Sequence, residues 1–405
     1  MQQLFFHDND NFWFETLRSL GHIAYGGADL GEVLYTAGRI KSGDYDSWYE
    51  EWAGTAERLG KVADEAERGG HTVTARDTYL RVSNYYRTAE FFLHGDPDDP
   101  RIRTAYDRSV EAFHRYVDLA GPTIERIAVP YEDTTLPGYF YPSPLPGRQP
   151  LIVMHNGFDG TAEEMRFMGA LAAQERGYHV LCFDGPGQPG TRHAQGLLFR
   201  PDWENVVGPV IDHALGRPEV DPEKISLYGA SLGGLLCVRA AAYEPRLKAV
   251  IANDGVYDLG ALGARFLGGD RDTVERALRA ESAPEADAAI AAAMRQHPGA
   301  RWAFENGQFV MGGDTPRAFA ARSLDYHLRG IAERVSCAVL VCEAVADLFF
   351  EGQPEQVYNA LTTRDKTLLR FTEEEGADAH CHFGAQRYAA GRMLDWLDER
   401  TPVVR

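Results

Sequence analysis

One serine, Ser231, lies between glycines in the segment 229–234 (GASLGG), directly after the apolar run 225–229 and directly before a helical pattern. A serine on a sharp strand-to-helix turn has its hydroxyl lifted clear of the sheet, and flanking glycines avoid clashes with neighbouring backbone. The helix N-terminus that follows stabilises developing negative charge. The segment therefore predicts Ser231 as a nucleophile.

A serine nucleophile needs a base, and the base needs an acid that orients it. In chains with this turn, the acid and then the histidine follow the serine in sequence. The apolar run 337–342 is followed by Glu343 and Asp347. We favour Asp347, because a carboxylate in the loop reaches back to a histidine more easily than one at the strand end.

The histidine is expected after the last apolar run, before the final helical pattern. The segment 371–389 (FTEEEGADAHCHFGAQRYA) offers His380 and His382. We favour His380 as the base, with His382 as the alternative. The acidic residues of this segment are interpreted as a solvated loop.

A tetrahedral intermediate on the serine needs two backbone donors. The N–H of Leu232, next to the nucleophile, is the first expected donor. The second is expected from the segment 155–165 (HNGFDGTAEEM), where a glycine lets the backbone approach the substrate. We predict the N–H of Phe158, with that of Gly157 as the alternative.

After residue 122, short apolar runs alternate with helical patterns. Strands alternating with helices predict an α/β protein with a mostly parallel sheet, here of eight strands with an antiparallel beginning. Together with the order serine, acid, histidine, this pattern predicts the α/β-hydrolase fold. The expected strands are 124–130, 137–142, 151–155, 178–183, 225–229, 248–253, 337–342 and 367–372.

Two helical segments accompany the predicted core. Residues 1–122 contain apolar spacings of three and four at 9–25, 46–69, 72–94 and 101–120, which predict a helical N-terminal segment that forms part of a cap. Residues 256–332 separate the sixth and seventh strands and are helix-rich. A connection this long is typical of a functional lid. We therefore predict a core at 123–405 with a cap insertion at 256–332.

Composition excludes several classes of protein. The 405 residues carry a formal net charge of −19, which argues against nucleic-acid or anionic membrane partners. The five cysteines form no CxxC pair and indicate buried reduced thiols, not a metal site. The glycine-rich segment 183–190 lacks the lysine of a phosphate-binding loop, and no cofactor is expected. The acidic N-terminus and the absence of any ~20-residue apolar run favour a cytoplasmic, soluble protein.

Several further segments make the pattern more specific. The chain resembles the family of 2,6-dihydroxypseudooxynicotine hydrolase and the fungal hydrolases that shorten heptaketide naphthopyrones, within a wider group that includes the fermentation-respiration switch proteins. The resemblance covers nearly the whole chain. The chain departs from the family at Pro189, where the family usually has glycine. Besides GASLGG, the segments are 83–92 (SNYYRTAEFF), 156–161 (NGFDGT) with Glu163 and Glu164, 184–188 (DGPGQ), 253–258 (NDGVYD), 375–377 (EGA) and 380–381 (HC).

The resemblance implies a serine hydrolase that cleaves a C–C bond in a small aryl ketone or β-dicarbonyl polyketide through an acyl-enzyme, and that forms a homodimer. It places Asp254, after the sixth predicted strand, near the leaving group. It also makes Tyr85, Tyr86 and Arg87 candidates for substrate contact. Because adjacent helical residues are 100° apart, one or two of these three are expected to face the pocket.

Other functions share the same predicted residues. A carboxylesterase or lactonase would use the same triad and acyl-enzyme. Acyl transfer or cyclisation without hydrolysis would need a cap that excludes water. A non-catalytic regulatory binding protein would leave Ser231 unreactive.

Overall fold

A computed structural model describes residues 2–261, 267 and 271–404 of the chain. Its centre is one sheet of eight strands in the order β1-β2-β4-β3-β5-β6-β7-β8. The pairs β1·β2 and β2·β4 are antiparallel, and the remaining pairs are parallel. The strands are β1 (Glu125–Tyr131), β2 (Thr134–Tyr141), β3 (Gln149–His155), β4 (His179–Phe183), β5 (Val220–Ala230), β6 (Leu247–Asn253), β7 (Ala338–Ala344) and β8 (Lys366–Phe371).

The predicted fold class is confirmed: all eight expected strands form, and the sheet is mostly parallel with an antiparallel beginning. The largest difference in a strand's bounds is at β5, which starts at Val220, earlier than the apolar run 225–229 indicated. The added residues include polar ones near the strand's outer end, and a hydrophobic pattern alone does not detect these. Successive side chains of β3 enter opposite cores, with Ile152 and Met154 on one face and Leu151 and Val153 on the other.

Fifteen α-helices form within the described residues. In the N-terminal region, four of the five helices correspond to predicted segments. The fifth, α2, was not predicted, because its eight residues are too short to show a clear apolar period. The helices are α1 (Asp10–Gly21), α2 (Leu30–Ala37), α3 (Tyr45–Arg68), α4 (Thr72–Glu90), α5 (Pro100–Ala120), α6 (Ala170–Arg176), α7 (Pro189–Gln195), α8 (Glu204–Leu215), α9 (Leu232–Ala241), α10 (Arg271–Arg279), α11 (Pro284–Gln296), α12 (Pro298–Met311), α13 (Pro316–Ser323), α14 (Gln353–Ala360) and α15 (Gln386–Asp398).

The helical N-terminal region shares its apolar core with one face of the sheet. Trp48 and Trp52 of α3 are fully buried, in the same cluster as Ile152 and Met154 of β3. Trp48 also donates from Nε1 to the carbonyl of Thr88 at 2.7 Å, so its polar atom is satisfied inside the core. The aromatic side chains of α1, α3, α4 and α5 in this shared cluster pack the N-terminal helices against the sheet.

Helices α10–α13 lie between β6 and β7, within the predicted cap insertion. Residues 262–266 and 268–270 of that insertion lie outside the described residues. Phe304 of α12 and Phe319 of α13 pack with the second face of the sheet, whereas Trp302 of α12 packs with the first. Side chains of both helices also reach the carboxyl edge of the parallel strands. Of the helices that the structure describes, none combines the length and apolar character that a membrane span requires.

Candidate active site

Ser231 occupies a sharp turn between β5 and α9. Its backbone has φ 58° and ψ −127°, a conformation that side-chain-bearing residues rarely adopt. Glycine is required beside it, because a Cβ at Gly229 would lie 2.0 Å from the carbonyl oxygen of Gly233, and one at Gly234 would lie 1.8 Å from that of Asp254. The turn thus holds the serine hydroxyl at the carboxyl edge of the sheet.

The structure brings Ser231, His380 and Asp347 together. The Nε2 atom of His380 is 2.9 Å from the Oγ of Ser231, and its Nδ1 atom is 2.8 Å from an Asp347 oxygen, Oδ2. The other oxygen of Asp347 accepts from the N–H groups of Phe349 at 2.7 Å and Phe350 at 3.2 Å. The carboxylate is therefore fixed by its own loop while it faces the imidazole.

A second carboxylate, Asp254, also faces His380. Its Oδ2 atom lies 3.0 Å from the His380 Nδ1 atom and accepts the N–H of Cys381 at 2.7 Å. Asp254 is fully buried and does not line the cavity above Ser231. This corrects the expectation that Asp254 lies near a leaving group: β6 ends beside β5 and β7, and this places the side chain behind the imidazole.

His382 does not share the position of His380. Cys381 and His382 both have positive φ, at 52° and 60°, so the chain makes a tight turn and the two imidazoles diverge. The His382 ring packs on Phe371, with centroids 4.0 Å apart, and its Nδ1 atom lies 3.0 Å from the carbonyl of Ala377. Burial lowers the pKa of His382. The imidazole that contacts the serine is that of His380.

The charge balance around His380 favours its protonated form. Burial alone would lower the pKa of His380, but the neighbouring carboxylates of Asp347 and Asp254 outweigh it and raise that pKa well above its usual range. Burial likewise opposes ionisation of Asp254, yet the adjacent His382 and His380 bring its pKa below the ordinary value. The arrangement stabilises an imidazolium next to a serine hydroxyl, as proton transfer from serine requires.

The loop after β3 approaches the turn at Ser231 closely. A Cβ on Gly157 would lie 2.7 Å from the Leu232 nitrogen, so glycine is required at this contact. The Gly157 N–H already donates to the Oδ1 of Asn156 at 2.8 Å. Among the described residues, the N–H groups of Phe158 and Leu232 have no hydrogen-bond partner. These two N–H groups are therefore the ones that remain available to an oxyanion.

Above Ser231 lies a cavity of about 1020 Å³, including its mouth. Its wall is formed by helix α1, Phe91 after α4, the loop after β3, helices α12 and α13 of the insertion between β6 and β7, and the loops after β7 and β8. The aromatic side chains on the wall are Phe14, Phe91, Phe158, Trp302, Phe304, Phe319, Phe349, Phe350 and Phe383.

One part of the cavity wall is polar and charged. Glu15 and Arg18 of α1 line it, with Asp159 from the loop after β3. Arg18 donates to Asp159 at 2.5 Å and, with two nitrogens, to the buried Glu164 at 2.6 and 2.5 Å. Burial raises the pKa of Glu15 to about 7, despite the opposing effect of Arg18 and Arg87. The wall thus offers a carboxyl group that can be protonated near neutral pH.

The core of the chain matches a model of the alpha/beta hydrolase family over residues 152–403. The chain belongs to the alpha/beta hydrolase family. Relatives that span nearly its whole length have hydrolase names. The chain is 36% identical to the 20-hydroxy-prefusarin hydrolase FUS2 of Gibberella moniliformis, with 98% of each chain covered. It is 34% identical to the hydrolase acrC of Aspergillus aculeatus, with 99% of each covered.

Solved structures of the same fold include the helical N-terminal region. The 2,6-dihydroxy-pseudo-oxynicotine hydrolase superimposes with a TM-score of 0.74 at 21% identity, over 94% of this chain and 95% of that one. AbyA5 superimposes with a TM-score of 0.63 at 17% identity, over 93% and 95%. The resemblance predicted from the sequence motifs is confirmed, and this alpha/beta hydrolase is an enzyme.

Tyr85, Tyr86 and Arg87 do not line the cavity of this alpha/beta hydrolase. The Tyr85 hydroxyl donates to Glu32 at 2.8 Å and accepts an N–H from Asp29 at 3.0 Å, so it faces the helices behind α4. The Tyr86 hydroxyl accepts from Arg108 at 2.9 Å.

Arg87 lies behind the polar wall, 3.3 Å from Glu15 and 3.1 Å from Glu164. These three placements correct the sequence-based expectation of substrate contact. The residue of this region that reaches the cavity is Phe91, one helical turn beyond Arg87, whose guanidinium carbon lies 5.5 Å from the Phe91 ring centroid. An aromatic run of this kind shows that a helix packs, but not which of its residues borders a cavity.

Sequence reasoning also missed Glu15 and Arg18. A signal was available, because two charged residues three positions apart interrupt an otherwise uncharged and mostly apolar segment, 12–20 (FWFETLRSL). Charges on the buried face of a helix need partners. Their partners, however, are about 140 residues away in the sequence, and only the folded chain reveals them.

Two groups of the described residues bring three potential metal-ligating atoms within reach of one another. One group, Asp254, His380 and Cys381, belongs to the site beside Ser231. The other comprises Glu90, His94 and His193, at the junction of α4 and α7. There the Nε2 atom of His94 lies 2.8 Å from Glu90, so these two side chains already form an ion pair when the imidazole is protonated.

Proposed function

We propose that this alpha/beta hydrolase cleaves a carbon–carbon bond in an aryl ketone or β-dicarbonyl substrate, through an acyl-enzyme on Ser231. The observation that supports this most directly is the contact of Ser231, His380 and Asp347 at the base of a cavity with nine aromatic side chains on its wall. Aromatic walls suit a flat, conjugated substrate. Two similar proteins are named for oxygenated substrates, 20-hydroxy-prefusarin and 2,6-dihydroxy-pseudo-oxynicotine.

In the first step, the Ser231 hydroxyl adds to the ketone carbon. His380 Nε2 takes the proton, and the carboxylates on Nδ1 stabilise the resulting imidazolium. The negative charge that develops on the ketone oxygen is stabilised by the N–H groups of Leu232 and Phe158. Because these donors are fixed before the reaction, they need little reorganisation as the charge appears.

In the second step, the tetrahedral intermediate collapses and the carbon–carbon bond breaks. The bonding electrons leave with the departing carbon, where a neighbouring carbonyl or an electron-rich ring delocalises them as an enolate or phenolate. The His380 imidazolium gives this carbon the proton it took from Ser231. The leaving fragment departs as a neutral molecule, and the acyl group stays on the serine.

In the third step, water replaces the leaving fragment and attacks the acyl-enzyme. His380 again takes the proton and returns it to Ser231, and a carboxylic acid is released. The largely aromatic cavity limits water around the leaving carbon until the fragment has left. The roof from α1 and the cap helices is the part of the structure that supplies this exclusion.

The decisive experiment compares an aryl β-diketone with p-nitrophenyl esters, for the wild type and for Ser231→Ala. We expect the wild type to release a carboxylic acid and a methyl or aryl ketone from the diketone, and Ser231→Ala to release neither. Ester turnover without diketone cleavage would overturn the carbon–carbon assignment in favour of a carboxylesterase or lactonase. Failure of a fluorophosphonate to label Ser231 would favour a non-catalytic binding protein.

We also propose that the enzyme forms a homodimer and acts in the cytoplasm, as the sequence predicts. The homodimer is the assembly that the family resemblance implies. Light scattering on the purified full chain should give twice the mass of one chain. A single-chain mass across the micromolar range would contradict the dimer.

A further inference from the structure

Helix α1 contacts the loop after β3 through one buried arginine. Arg18 is 4% exposed, and its Nε and Nη2 atoms donate to the two oxygens of Glu164 at 2.6 and 2.5 Å. Its Nη1 atom donates to Asp159 at 2.5 Å. Two parallel bonds between guanidinium and carboxylate fix both groups in one plane. The docking of α1 therefore sets the position of Glu164.

Glu164 passes this constraint to the loop that faces Ser231. The oxygen that accepts from Arg18 Nη2 also accepts from the Nδ2 of Asn156 at 3.2 Å. The Oδ1 atom of Asn156 accepts the N–H of Gly157 at 2.8 Å. Asn156 and Glu164 are both almost fully buried, so water does not compete for these groups.

The charge of Glu164 fixes which way the Asn156 amide faces. Burial disfavours the ionised carboxyl, but Arg18 and Arg87 outweigh it and lower the pKa of Glu164 to about 2. An ionised carboxylate accepts only, so it selects the amide NH₂, and the amide oxygen must then face the Gly157 N–H. A reversed amide would place its NH₂ group against the Gly157 N–H. Its oxygen would then face the Glu164 carboxylate, which has no hydrogen to donate.

Other side chains also support the loop at this point. His155 Nδ1 lies 2.9 Å from the Asn156 carbonyl oxygen, and Asn306 Nδ2 donates to the Phe158 carbonyl at 3.2 Å. The Gln188 Nε2 atom donates to the Asn156 carbonyl at 2.6 Å, which holds the peptide before Gly157. The next N–H along the chain is that of Phe158, the expected oxyanion donor. A rotation at Gly157 would turn this N–H away from the serine. The Asn156 side chain opposes that rotation through the Gly157 N–H, and Gln188 Nε2 adds a longer contact with the Gly157 carbonyl at 3.5 Å.

We propose that Arg18 is a positioning residue for the oxyanion hole, acting through Glu164 and Asn156 on the peptide that carries the Phe158 N–H. The inference rests on the proposed serine hydrolase function and adds that the N-terminal region controls the rate of the chemical step. The oxyanion hole therefore takes its active geometry only when α1 is docked on the loop after β3. Deletion of an oxyanion donor lowers kcat by ~10²–10³, and misplacement of a donor should lower it by less.

The test uses Arg18→Lys in the full chain, which keeps the positive charge and removes the paired bonds to Glu164. We expect kcat for p-nitrophenyl ester hydrolysis to fall by about 10- to 100-fold, with KM within about twofold. An aryl trifluoromethyl ketone, which forms a tetrahedral adduct with the serine, should bind more weakly by the same factor as kcat/KM falls. A role in stability alone would not move the adduct's affinity in this way.

Two further variants complete the design. Asn156→Ala removes the last link without disturbing Arg18 and Glu164, and it should give the same loss of kcat even if Arg18→Lys folds poorly. Arg166→Lys is the matched control. Arg166 is also a buried arginine and lies two residues from Glu164, but its guanidinium carbon lies over Tyr116, 4.8 Å from the ring centroid. It should keep the wild-type kcat and the wild-type affinity for the trifluoromethyl ketone.

The outcomes separate the two proposals. If the wild type has Ser231-dependent esterase activity but Arg18→Lys or Asn156→Ala keeps the wild-type kcat, the positioning role is overturned alone. If kcat falls but the affinity for the trifluoromethyl ketone does not, Arg18 does not act on the oxyanion hole. If the wild type has no Ser231-dependent turnover, the proposed function and the positioning role fall together. Esters serve as substrates so that the carbon–carbon assignment can fail without affecting this test.

Discussion

The presence of two carboxylates on one imidazole nitrogen leads to an unusual expectation for Asp347→Asn. Asp347 Oδ2 lies 2.8 Å and Asp254 Oδ2 lies 3.0 Å from His380 Nδ1. In the Asp347→Asn variant, the amide oxygen is needed by the N–H groups of Phe349 and Phe350, so the new NH₂ group would face Nδ1. With a single acid, this would select the wrong tautomer of His380. Asp254 should prevent that by keeping a proton on Nδ1.

The size of the loss in kcat depends on whether Asp254 still holds the proton on His380 Nδ1. Loss of the correct tautomer in a triad with one acid lowers kcat by ~10⁴. Loss of one hydrogen bond to a charged group is worth about 1.5–3 kcal/mol, or about 10- to 150-fold in rate. We therefore expect Asp347→Asn to fall in this smaller range. Asp254→Asn should lose about 10-fold, since its contact is longer and Cys381 shares the same oxygen. The double variant should lose ~10⁴.

The assay is steady-state hydrolysis of a p-nitrophenyl ester by the two single variants and the double variant, analysed as a double-mutant cycle. The pH dependence gives a second readout. Since the carboxylates raise the pKa of His380, removing either one should shift the acid limb of kcat/KM to lower pH. Glu343→Gln is the control, because Glu343 pairs with Arg370 on β8 and not with His380. It should keep the wild-type rate and the wild-type pH profile.

Two results would refute this reasoning. A full ~10⁴ loss from Asp347→Asn alone would show that Asp254 does not hold the tautomer. An Asp254→Asn variant with the wild-type rate and an unshifted acid limb would show that Asp254 does not act on His380 at all. Circular dichroism and urea unfolding of each variant must show a folded chain, because both side chains are buried.

Three other outcomes are expected. Ser231→Ala should lower kcat by ~10⁴ or more with the fold intact, and retention of a tenth of the wild-type rate would exclude this serine as nucleophile. His380→Ala should be inactive, whereas His382→Ala should keep measurable turnover, since only His380 contacts the serine; the opposite result would move the base. Folding raises the pKa of Glu15 from 4.5 to about 7, so the stability that protonated Glu15 contributes is present below pH 4.5 and is lost as the pH rises to about 7. In urea unfolding, the free energy of unfolding of Glu15→Gln relative to that of the wild type should therefore be larger at pH 8 than at pH 5. An equal difference at the two pH values would contradict the raised pKa.

The sequence was sufficient for features that depend on short stretches of chain. The short apolar runs predicted all eight strands, because such a run reflects burial along a few consecutive residues. The segment GASLGG predicted a strand-to-helix turn, and one of its glycines, Gly229, is required by a neighbour only four positions along the chain. The pairing of Ser231 with His380 and Asp347, as the structure shows it, was predictable in outline because parallel strands end at one edge of the sheet.

The direction of a side chain within a helix or behind a strand was not accessible in this way. One or two of Tyr85, Tyr86 and Arg87 were expected at the cavity, and all three lie elsewhere. The aromatic character of a side chain indicates burial but not the identity of its neighbours. Asp254 was placed correctly at the end of β6, but its contact with His380 depends on how the loops after β6, β7 and β8 pack together.

The sequence by itself thus determined the elements, the turn at Ser231 and the candidate residues, because each is marked by residue types within a short stretch of the chain. The tertiary structure alone decided that Arg18 of α1 pairs with Glu164, that Phe91 and not Tyr85 or Tyr86 reaches the cavity, and that two carboxylates share one imidazole. Arg18 and Glu164, for example, are 146 positions apart. The geometry of such contacts follows from the packing of whole helices on the sheet, and no local pattern encodes it.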